Sequence, residues 1–63
     1  MTQKELSYLE DAIGHEDNII KICNETISYL EDEDLMSFMN DELKNHMKVR
    51  ESLIEVMEEK ANE

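Results

Sequence analysis

The sequence has no proline, no tryptophan, one glycine and one cysteine. With so few breakers, almost nothing interrupts a helix. A single cysteine, Cys23, excludes an intramolecular disulfide and any multi-cysteine zinc site. Aromatic residues make up 5% of the chain, so a core built from one copy lacks bulk, and the five methionines supply much of the filler instead. Positive charge is also scarce. Six basic residues stand against 17 acidic ones, a formal net charge of −11, which repels phosphate backbones and anionic lipid surfaces and argues against nucleic-acid and membrane-surface roles. No apolar run approaches the roughly 20 residues of a spanning helix, and the opening Met1-Thr2-Gln3-Lys4 carries no apolar signal segment. Cytoplasmic synthesis is the resulting expectation. Phosphate-cradling glycine loops, nucleophile elbows and dinucleotide fingerprints are missing too, so no ordinary enzyme class gains support and the chain is expected to be non-enzymatic.

What remains is helix pattern. Thr2 followed by Glu5 fits a capping box and predicts a first helix from about residue 3 to about residue 30. Leu6, Leu9, Ile13, Glu16, Ile20, Cys23, Ile27 and Leu30 alternate spacings of three and four, the seam of packed helices. Tyr8, Ala12, Ile19, Ile22 and Tyr29 widen this stripe to nearly half the cylinder, with Glu10, Asp11, Asp17, Asn18, Lys21, Asn24 and Glu25 opposite. Glu31-Asp32-Glu33-Asp34 is the expected turn, in which Asp32 or Asp34 can cap a second helix running from about 35 to 60. Four contiguous acids lack the spacing and glycine of a calcium loop. On the second helix Leu35, Phe38, Met39, Leu43, Met47, Val49, Leu53, Ile54, Val56 and Met57 fill roughly half the circumference at about 100° per residue. Two antiparallel helices cannot bury two such stripes against each other. The 63 residues are therefore expected to be one all-α helical hairpin domain that dimerises into a four-helix bundle.

Inside these stripes stand ionisable side chains: Glu16 on the first helix, and Glu42, His46 and Arg50 at i, i+4 and i+8 on the second. Drying such groups out is costly unless they are paired, hydrogen-bonded or metal-bound. With the turn centred between Asp32 and Glu33, residue i faces residue 65 minus i, which levels Glu16 with Val49, between His46 and Arg50, and Cys23 with Glu42. Two readings follow. In the first, Glu16 pairs with Arg50 and Glu42 bonds to His46 or to its symmetry mate, a polar ladder that fixes register, with no cofactor. In the second, Glu16, Glu42 and His46 are metal ligands, and a dimer places an iron, manganese or zinc ion at the bundle core with ferroxidase-like or storage chemistry. The spacing departs from Glu-x-x-His, since the residue three before His46 is Leu43. Among the rest, Tyr8 and Tyr29 read as packing or interface residues, His15 as a partly exposed packing residue with the alternative of helping Glu16 as a ligand, and Cys23 as a small buried apolar side chain. Gly14 lies on the polar side, where it costs about 1 kcal/mol relative to alanine.

Tyr8-Leu9-Glu10-Asp11-Ala12-Ile13-Gly14-His15-Glu16 followed by Leu35-Met36-Ser37-Phe38-Met39-Asn40-Asp41-Glu42-Leu43-Lys44-Asn45-His46 resembles the ferritin-like helical hairpins of bacterial spore coat proteins of the Coat F type. That family similarly carries a "D-E-aliphatic-x-N-H" stretch on its second helix after an acidic turn. The resemblance covers about two thirds of the chain. It implies a ferritin-like bundle, a structural or sporulation-associated role, location in the spore coat beside other coat proteins, and metal binding commonly lost. Where ferritin-like proteins usually carry two hairpins this chain has one, so the resemblance implies self-association.

Overall fold

The computed structural model describes residues 1–61, and within them the chain is two helices: α1, Gln3–Tyr29, and α2, Glu33–Ala61. No strand occurs among the described residues. Each helix begins where its cap dictates. Thr2 is extended, its hydroxyl accepts from the Glu5 backbone N–H at 3.0 Å, and the Glu5 carboxylate accepts from the Thr2 N–H at 2.7 Å. This is the reciprocal box the sequence predicts, and it satisfies two orphan amide donors. At the second helix Asp32 does the same work with its Oδ1 on the Leu35 N–H, 3.0 Å. Because Asp32 is the cap, Glu33 and Asp34 fall inside the first turn of α2, where their charge suits the helix dipole. The connection is thus Leu30-Glu31-Asp32, shorter than the expected turn over 31–34, and α2 starts two residues before the expected 35.

The helices lie antiparallel along a seam that on α1 follows the predicted three-four alternation. Leu6, Leu9, Ile13, Glu16, Ile20, Ile27 and Leu30 are half-buried, and Cys23 is buried, with 4% of its surface exposed. Cys23 is the one buried hydrophobic residue among those described, as expected of a small apolar side chain in the middle of the seam. On α2 the half-buried row is Met36, Met39, Leu43, His46, Arg50, Leu53 and Met57, with Glu42 and Ile54 beside it. Part of the wide sequence-based stripe stays uncovered, and one residue outside it joins the seam. Leu35, Phe38, Met47, Val49 and Val56 are exposed, and Met36, outside the expected stripe, is half-buried. The physical reason is that one neighbouring helix covers about a third of a cylinder. The wider apolar arc has to leave its flanks uncovered.

The result is a rod of 47 × 15 × 10 Å with a radius of gyration of 14.6 Å, where a globular chain of this length would have about 11 Å. Gly14 sits in unbroken helix, φ negative, with open space where a Cβ would stand.

Candidate functional site

The polar residues singled out by their place in the seam meet across it, but not in the expected pairs. Glu16 from α1 and His46 from α2 converge, Oε2 to Nδ1, at 2.7 Å. Both are half-buried, their side chains 15% and 29% exposed. The bond joins the one half-buried carboxylate on the α1 seam to the one imidazole on the α2 seam. Arg50 does not reach for Glu16. Its Nε donates to Asp17 Oδ1, so the expected Glu16–Arg50 pair is corrected to Asp17–Arg50. The cause is exposure. Arg50 lies at the margin of the seam with its side chain 40% exposed, and Asp17, at 53%, stands on the wetter side, where a guanidinium keeps much of its hydration.

Glu42 is not paired with His46 through Nδ1 in the single chain. His46 Nδ1 is taken by Glu16, and Glu42 stays half-buried one turn before it on α2. Of the three expected ligands, Glu16 and His46 are brought together in one copy. Among the described residues no group of three His, Cys, Asp or Glu side chains is arranged to hold a metal ion. His15 is exposed, in keeping with a residue at the stripe margin. The two cross-helix pairs, 16 with 46 and 17 with 50, bracket the predicted rule that facing residues sum to 65. Sequence reasoning missed Asp17, which it placed on the solvent face. The available signal was its position beside Glu16 and the length of an arginine side chain.

The larger feature is apolar. Tyr8 (62% exposed), Phe38 (59%), Val49 (45%) and Val56 (44%) stand open to solvent in the single chain. At about 100° per residue, Tyr8, Ala12, Ile19 and Ile22 on α1 and Phe38, Val49 and Val56 on α2 occupy the flanks that an antiparallel pair presents on one and the same side. At one end of this side Tyr8, Leu9 and Val56 line a common hollow of about 480 Å³ with Met1, Glu5 and Lys60. Ionisable residues on these rows are few: His15 and Glu42 in the middle, and Lys4, Glu5 and Lys60 at the far end. Glu59 continues the Phe38 row at heptad spacing, so with histidine neutral the formal charges of Lys4, Glu5, Glu42, Glu59 and Lys60 sum to −1, although the chain as a whole carries −11. The acidity is segregated onto the rest of the surface.

No protein-family model, curated protein or solved structure matches the chain.

Proposed function

We propose that this protein is a non-enzymatic structural unit that self-associates, two hairpins joining through the charge-poor apolar side into a ferritin-like four-helix bundle. The observation that carries the reading is the broad, charge-poor apolar surface on a chain with almost no interior of its own. Area supports it. A folded chain of 7.5 kDa is expected to expose about 4,250 Å², and this one exposes 5014 Å². The excess, about 770 Å², is close to the roughly 800 Å² that one partner contributes to a standard interface. Charge supports it as well, because this side carries little of the net acidity and a second copy meets less like-charge repulsion here than elsewhere on the surface. The resemblance to Coat F hairpins adds a setting, namely assembly in the spore coat alongside other coat proteins. Sedimentation velocity of the full chain over a micromolar concentration range tests the assembly: mass twice 7.5 kDa is the expected result, and a folded single copy throughout overturns it.

One observation favours a second reading. Glu16 and His46 already converge, and in a bundle the same pair from a second copy, with both Glu42 side chains, would give a donor set of carboxylates and imidazoles suited to iron, manganese or zinc. Purification without chelator followed by metal analysis, with melting measured after metal addition, separates the two. A metal-dependent rise in melting temperature that Glu42→Gln abolishes would establish the second reading.

A further inference from the structure

The opposite side of the hairpin has a different chemistry. There Ile20 from α1 and Met47 and Ile54 from α2 form the apolar floor of an open groove of about 620 Å³. Met47 is 53% exposed. Glu51, Glu55 and Glu58 line the same groove, spaced by four and three residues and so aligned as one row along α2. Asp17 and Arg50 line it too, and because Arg50 donates to Asp17, its charge is already met. Like charges at i, i+4 weaken a helix, so the Glu51–Glu55 step is a small standing cost that a cation alongside would remove.

We propose that this groove docks a cationic amphipathic helix of another protein, with apolar side chains on Ile20, Met47 and Ile54 and lysine or arginine along Glu51 and Glu55. Met47 to Glu58 is about 16 Å of helix, or three turns, which sets the length of the occupant. A second copy is not the occupant, since it would lay the same row of carboxylates against itself. Charge sorts the two sides of the hairpin: the charge-poor side suits a like molecule, the acidic-edged groove an opposite one. The inference is independent of self-association, which uses the other side.

The test is fluorescence anisotropy of a labelled amphipathic Leu/Lys peptide of about 18 residues titrated with the full chain, with a Leu/Glu peptide of the same pattern as control. The Leu/Lys peptide is expected to bind and the Leu/Glu peptide not to. Binding should weaken as salt is raised to about 0.15 M. Met47→Asp, at an exposed position, and the double variant Glu51→Lys with Glu55→Lys should each lower the affinity on the order of tenfold. The double variant Asp11→Lys with Glu25→Lys makes the same change in net charge away from the groove and should hold within about twofold. Helicity and sedimentation of all variants should match the wild type. Absence of binding overturns the proposal, as does an affinity that Met47→Asp leaves intact. Equal loss in the Asp11/Glu25 variant would reduce the attraction to overall charge and also overturn it. Should the wild-type chain sediment as a single copy, self-association fails while the peptide titration still decides this groove.

Discussion

Diluting the protein a hundredfold should lower its melting temperature by about 10 °C. In the single chain Cys23 alone among the described hydrophobic residues is buried, and a domain of this size is marginal even with a proper core. If the missing cover is a second copy, folding and association are one equilibrium, and apparent stability follows concentration. A hundredfold dilution then removes about 2.8 kcal/mol per dimer. Two chains of 63 residues unfolding together carry an entropy of about 0.26 kcal/mol/K, and the ratio of the two gives the shift. Circular dichroism melts at two concentrations read it directly. Val49→Asp sharpens the measurement. Val49 keeps 45% of its surface exposed in the single chain, so a partner covering it gains about half of the 1.5–3 kcal/mol of a full burial, once on each copy. Aspartate loses that and adds a buried carboxylate, so the dissociation constant should rise at least tenfold. A melting temperature indifferent to concentration, together with a sedimenting mass of one chain, would refute the reasoning.

Three further outcomes can be read from the same instruments. Gly14→Ala should stabilise by about 1 kcal/mol, since α1 runs unbroken through an exposed site with open space for the methyl; a melting rise of several degrees checks it. Thr2→Ala should destabilise by about 1 kcal/mol, and the loss should carry a pH signature. Glu5 is held below its ordinary value of 4.5 by the Thr2 backbone N–H it accepts, and next by the Thr2 hydroxyl. A carboxylate lowered on folding stabilises above its ordinary value and loses that contribution as pH falls through the folded value, so below pH 4.5 the gap between wild type and Glu5→Gln should close. A double-mutant cycle on Glu16→Gln and His46→Ala should show a coupling of roughly 0.5–1.5 kcal/mol, whereas Glu42→Gln combined with His46→Ala should show a smaller one, because His46 Nδ1 faces Glu16.

The first helix was open to sequence reasoning and the second only partly so, for a definable reason. Along α1 the apolar seam is interrupted once, by Glu16, and its three-four alternation survives that gap. Along α2 the seam carries His46 and Arg50 in succession, so for two turns its hydrophobic signal vanishes and the apolar count is drawn toward Phe38, Val49 and Val56, which lie on the flank. Hydrophobicity is the same quantity in both rows. Only the partner's position tells which is inside. The register, by contrast, follows from the turn: caps at Thr2 and Asp32 fix where each helix starts, and Glu16 with His46 and Asp17 with Arg50 meet within three residues of the predicted level. What register cannot give is side-chain reach. An arginine at the margin of a thin rod chooses between a half-buried carboxylate and a wetter one, and desolvation decides for Asp17. The displaced stripe on α2 is therefore informative in itself. On α2 the polar row meets its partner in the hairpin while an apolar row of Phe38, Val49 and Val56 stays exposed to one side, and that row is the surface the proposed second copy would cover.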